Sequence, residues 1–177
     1  MTVTFSRRTV ELLNVLRLFC LAVFATVPLL SSASPLPVAD RVLVDKSERL
    51  LYLLRDDDVL ASFRVSLGQE PLGHKTEEGD KRTPEGTYRL DTRNPNSDFF
   101  LSIRISYPNA TDRASAVAKG LRPGGQIMIH GLPNEPKYST DFYRSADWTD
   151  GCIAVTNSAM IDIWLMTEPG TPIEIRP

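Results

Sequence analysis

The chain has 177 residues, a formal net charge of −2, and 42% hydrophobic against 24% charged residues. That balance fits one globular domain with a short tail and excludes disorder, collagen and coiled coil. A weakly acidic chain lacks the positive surplus that nucleic-acid binding draws on, and two His with two Cys fall short of a zinc site at workable spacing, so no metal or cofactor is expected. The first element is an export signal. Arg7, Arg8 and Arg17 precede an apolar run from Leu18 to Leu30, followed by the small residues Ser31-Ser32-Ala33-Ser34. The run is shorter than the ~20 residues that span a bilayer, so residues 1–33 read as a signal peptide cut after Ala33. The alternative is an uncleaved N-terminal anchor, the one route to membrane association. Cleavage removes Cys20 and leaves Cys152 as the lone thiol.

Residues 34–39 read as a linker and 40–177 as the domain. Arg41–Asp45, Arg49–Leu54 and Val59–Leu67 are β-rich runs, the last two joined by a turn at Asp56-Asp57-Asp58. A polar segment, 68–86, carries Gly73-His74-Lys75, Gly79-Asp80 and Thr83-Pro84-Glu85-Gly86. Thr87–Leu90 and Phe99–Ile105 are further strands. Thr111–Lys119 is a short helix closed by Gly120, and Gln126–Ile129 is a buried-type strand that ends at His130-Gly131. A second long loop, 132–151, precedes the apolar run Cys152–Val155. Thr156 or Asn157 caps a helix reaching about Thr167, with Ile161, Trp164 and Leu165 at helical spacing. Ile173–Ile175 closes the chain. The expected class is mainly β with short helices, in a single domain, with both long loops bordering strand ends.

A lone thiol in an exported chain is an inert core residue, an intermolecular link or a nucleophile. Thiol attack needs a thiolate, a nearby base and donors for the oxyanion. Cys152 follows Gly151, whose freedom lets the Gly151 and Cys152 N–H groups face a developing oxyanion. His130, at the exit of a core strand, is the preferred base over His74. If it is an enzyme nucleophile, Cys152 should be exposed and unusually ionised.

These residues resemble the L,D-transpeptidase catalytic domain (YkuD-type). The likeness rests on Ile129-His130-Gly131, on Trp148-Thr149-Asp150-Gly151-Cys152-Ile153-Ala154-Val155-Thr156-Asn157, and on the Gly-Asp and Thr-Pro-Glu-Gly blocks of the polar segment. The commonest family form has a His before the Gly-Cys and an Arg two residues after the Cys. Asp150 and Ala154 stand there instead, as in a subgroup of murein L,D-transpeptidase-like proteins.

The resemblance implies an L,D-transpeptidase-like β-sandwich or barrel with Cys152 as nucleophile, His130 as general base and Gly151 as oxyanion donor. It implies substrate-binding or supporting roles for Thr149, Asp150, Trp148, Gly131 and Arg144, with Lys137 and Lys75 as further cations for stem carboxylates. The implied activity is a peptidoglycan L,D-transpeptidase working through a thioester on stem tetrapeptides. Its partners would be stem peptides or a wall-attached protein acceptor, in the periplasm or cell envelope of a bacterium. A hydrolase on the same scaffold and a non-catalytic wall-binding module are the alternatives.

Overall fold

A computed structural model describes residues 36–177; the expected signal peptide and Cys20 lie outside them. Alternating apolar side chains build the first strands. In β1 (Arg41–Asp45) Val42 and Val44 are fully buried, and in β2 (Leu50–Arg55) so are Leu51 and Leu53. β2 pairs antiparallel with β1 and with β3 (Asp58–Arg64). The β2–β3 loop is Asp56-Asp57, with φ of 49° and 73°. Two positive φ values match the twist of a tight hairpin, and a short acidic residue tolerates them at modest cost.

The expected strand 59–67 stops at Arg64. Beyond it the chain changes partner: Ser66 bridges Ala154, and Gly68, just past the expected strand, bridges Thr149. β4 (Gly86–Ser97) is far longer than the expected four residues. Its second half is mostly exposed and polar, so no apolar pattern marks it; pairing with β5 (Phe100–Ile105) extends it. β6 (Met128–His130) continues this half of the sheet, followed by β7 (Ile153–Ala154), while β8 (Pro172–Arg176) lies between β1 and β4. The full order is β3-β2-β1-β8-β4-β5-β6-β7. Because Ser66, just past β3, exchanges both backbone hydrogen bonds with Ala154 of β7, the two ends of the sheet meet and it curls into a barrel-like sandwich.

Three short helices flank the sheet. α1 (Ala110–Ala118) begins with a reciprocal capping box between Asn109 and Asp112. α2 (Thr140–Ser145), inside the expected loop 132–151, is new; Ser139 caps it by accepting from Phe142 N–H. α3 (Asn157–Met166) is capped by Thr156. It buries Met160, Ile163 and Met166, whereas Ile161 and Leu165 face outward.

The polar segment 68–86 is held by two buried lysines. Lys46 Nζ donates to Gly73 O, Thr83 O and Glu85 Oε1. Lys75 Nζ donates to Asp80 and to Glu77 O. This segment forms the floor beneath the loop that carries Cys152.

Candidate active site

β6 and β7 run parallel, with Ile129 opposite Ile153 and His130 opposite Ala154. Ile129 and Ile153 are fully buried in the core. Side chains alternate along an extended chain, so His130 and Cys152, each one residue from an isoleucine, share the other face.

His130 is buried, and its Nδ1 lies 2.7 Å from Gly131 O. A carbonyl only accepts, so Nδ1 carries the hydrogen and Nε2 keeps its lone pair. Burial lowers the His130 pKa to about 4, with the Gly131 bond opposing it. Phe99 and Trp148 flank the ring at centroid distances of 4.6 and 5.7 Å. Gly131 admits no side chain: a Cβ there would sit 2.6 Å from Asn157 Oδ1 and 3.1 Å from Phe99 O.

Cys152 is half-buried, and its thiol donates to Gln126 O at 3.6 Å. Burial raises its pKa above the ordinary thiol value, and the Asp150 charge adds to that. A hydrogen bond from Met128 N–H and the charge of Lys75 oppose the rise. The expectation of an exposed, unusually ionised cysteine is therefore corrected. Both shifts have burial as their largest cause and both favour the uncharged form, thiol and imidazole.

Gly151 has φ +125°, and a Cβ there would come 2.6 Å from Arg82 O. Only glycine fits this turn. Its N–H, however, donates to Thr149 Oγ1 at 3.1 Å, while the Thr149 hydroxyl donates to Cys152 O at 2.8 Å. The expected Gly151 oxyanion donor is thus turned into the loop, and Thr149 is the peg that sets the turn. Asp150 is exposed and accepts from Gln69 Nε2 at 3.3 Å.

Trp148 donates to Tyr143 O at 3.1 Å and walls a cavity of about 770 Å³ with Phe99, Tyr138, Phe142 and Tyr143. Asp98, Glu135 and Lys137 supply polar lining. Asp147, beside Trp148, accepts from Arg49 and from Leu67 N–H and so fastens the end of the loop.

Two expected cations are elsewhere. Arg144 lines a separate hollow with Arg49 and Arg64. Lys75 is buried, with its ammonium 2.7 Å from Asp80 Oδ1, so it is spent on the floor segment. His74 is structural too: its Nδ1 accepts from Glu85 N–H at 3.0 Å, and Nε2 faces Asp112. Among the described residues no three His, Cys, Asp or Glu side chains are grouped as a metal requires, and no helix is long and apolar enough to cross a membrane. Phe99 and Gln126 have no place in the motifs, since they act through a ring and a backbone carbonyl, and Asn157, read as a possible helix cap, instead accepts from Leu132 N–H through Oδ1.

Comparison with known proteins gives the same architecture. The chain is 28% identical over 146 residues to the Escherichia coli (strain K12) protein named "Putative L,D-transpeptidase YafK", covering 75% of this chain and 51% of that protein. It thus spans about half the length of the curated relatives it matches. The crystal structure of the helical cell shape determining protein Pgp2 from Campylobacter jejuni aligns at 26% identity with a TM-score of 0.57, over 76% of this chain and 46% of that one. Bd1075 of Bdellovibrio bacteriovorus shares the fold at 23% identity and a TM-score of 0.53, over 81% and 52%. The model of the L,D-transpeptidase catalytic domain, YkuD, matches residues 39–175, and the chain belongs to that family.

Proposed function

We propose that the chain is an exported cysteine acyltransferase that acts on peptidoglycan stem tetrapeptides. The observation that carries this reading is the state of His130. Its Nδ1–H is spent on Gly131 O, so Nε2 is free to accept a proton on the face it shares with Cys152. Family membership and the cell-shape role of the relative Pgp2 support the wall as the place of action.

In the proposed reaction Nε2 takes the Cys152 proton as Sγ attacks the carbonyl carbon at the L-centre of the third, diacid residue. The oxyanion is held by the Cys152 N–H, a kind of donor worth ~3 kcal/mol of barrier. The imidazolium then protonates the departing D-alanine nitrogen as the C–N bond breaks, leaving a thioester on Sγ. An amine of a second stem, or of a wall-attached protein, attacks the thioester; His130 takes a proton from that amine and returns it to the sulfur. Water in place of the amine gives the hydrolase.

The test is mass spectrometry of tetrapeptide muropeptides and of cross-linked peptidoglycan after incubation with the protein, beside a Cys152→Ala control. Joined stems that need Cys152 are the expected product. Water-added fragments would assign the hydrolase. No product from folded protein would move the reading to a wall-binding module.

A further inference from the structure

The aromatic wall of the cavity extends well beyond the reacting atoms. Tyr138, Phe142, Tyr143, Trp148 and Phe99 follow one another at centroid separations of 4.5, 5.7, 5.0 and 6.0 Å, and Phe99 rests against His130. At the open end, Tyr138 is 60% and Phe142 38% exposed, an unusual outlay of aromatic surface for rings that serve only packing. The carboxylates of Asp98 and Glu135 and the ammonium of Lys137 also line the cavity, and none has an ion-pair or side-chain hydrogen-bond partner among the described residues.

Their mixture of signs selects the ligand. An aliphatic ammonium would meet Lys137, and a carboxylate group filling the cavity would meet Asp98 and Glu135. A neutral ligand with apolar faces and many hydroxyls satisfies all of them. Its C–H faces lie on the rings, its hydroxyls donate to the carboxylates, and an amide oxygen accepts from Lys137. About 770 Å³ is ample for more than one sugar ring.

We infer that this cavity is a glycan subsite that holds pyranose rings of an N-acetylated amino-sugar strand along the aromatic wall that reaches His130. The choice of sugar rests on the wall-directed function proposed above; the binding itself does not depend on thiol chemistry. Holding the strand at the aromatic wall would fix the reach of the attached stem to Cys152, which is a positioning contribution.

The test uses the full chain with Cys152→Ala and Trp164→Phe. Trp148 and Trp164 are the two tryptophans, so Trp148 becomes the fluorescence reporter inside the cavity. A peptide-free N-acetylglucosamine tetramer is titrated in, with pentanediamine and a sugar-free stem tetrapeptide as the other arms. Saturable binding of the tetramer is expected, weakened about tenfold by Tyr138→Ala and by Glu135→Gln. Both side chains are on the cavity rim, and a thermal melt confirms that each variant is folded. Absence of saturation with the tetramer, with or without a response to the diamine or the peptide, or tetramer binding unchanged in both variants would overturn the inference. Turnover of muropeptides by the Cys152 protein is read separately, so loss of either result leaves the other standing.

Discussion

A histidine kept neutral by burial leaves a thermodynamic trace. The folded-state pKa of His130 is about 4 against an ordinary value of 6.5. Between those values the unfolded chain binds a proton that the folded chain refuses. Stability therefore falls as pH drops from 6.5 towards 4, on the order of 3 kcal/mol in all, with no contribution above 6.5. Urea melts across that range should show wild type losing this much relative to His130→Gln. A difference that stays flat would mean that the imidazole is charged in the folded protein. Burial is the largest cause of both shifts, lowering His130 and raising Cys152, so both favour the uncharged form.

At the scale of elements, the position of Cys152 is set by the polar segment beneath its loop. Residues 68–86 present Arg82 O to Gly151 and Lys81 O to Gly68, both at distances that exclude a Cβ. Lys46 organises the segment from a position 2% exposed, through two carbonyls and Glu85. Replacing it by Met keeps the stem's bulk and strands Glu85 and both carbonyls. Lys46→Met is expected to cost ~3 kcal/mol in urea unfolding, with activity falling further than stability as the floor under Gly151 loosens. A variant with full activity and an unchanged midpoint would show that the floor does not set the turn. The Gly73-His74-Lys75 and Gly79-Asp80 blocks belong to this scaffold: His74 braces Glu85 and Asp112, and Asp80 gathers Lys75 and three backbone N–H groups.

At the scale of the molecule, closure of the sheet brings the far ends of the chain's topology to one place. The Ser66–Ala154 bridge joins the strand after β3 to β7, which puts the 68–86 floor under the 149–152 turn. For the whole chain the proposed export predicts processing after Ala33. N-terminal sequencing of the protein recovered from the envelope fraction should begin at Ser34; recovery of the intact N-terminus would assign an anchor instead. Much of this was legible beforehand. β-rich runs marked β1, β2 and β5, Gly120 marked the end of α1, a Thr156 or Asn157 cap marked α3, and His130-Gly131 with Gly151-Cys152 carried the family resemblance. The second half of β4 was not legible, because an exposed strand held by its neighbours needs no apolar period. Nor was α2, a six-residue helix whose cap Ser139 stands in a polar run. The sequence alone determined the family, since its motifs are properties of side chains and local spacing. Tertiary structure alone decided which cations are buried in ion pairs, which N–H is turned into the loop and which way burial shifts the thiol and imidazole. Those depend on burial and on partners distant along the chain: Asp80 took Lys75, Thr149 took the Gly151 N–H, and burial favoured the uncharged forms of His130 and Cys152.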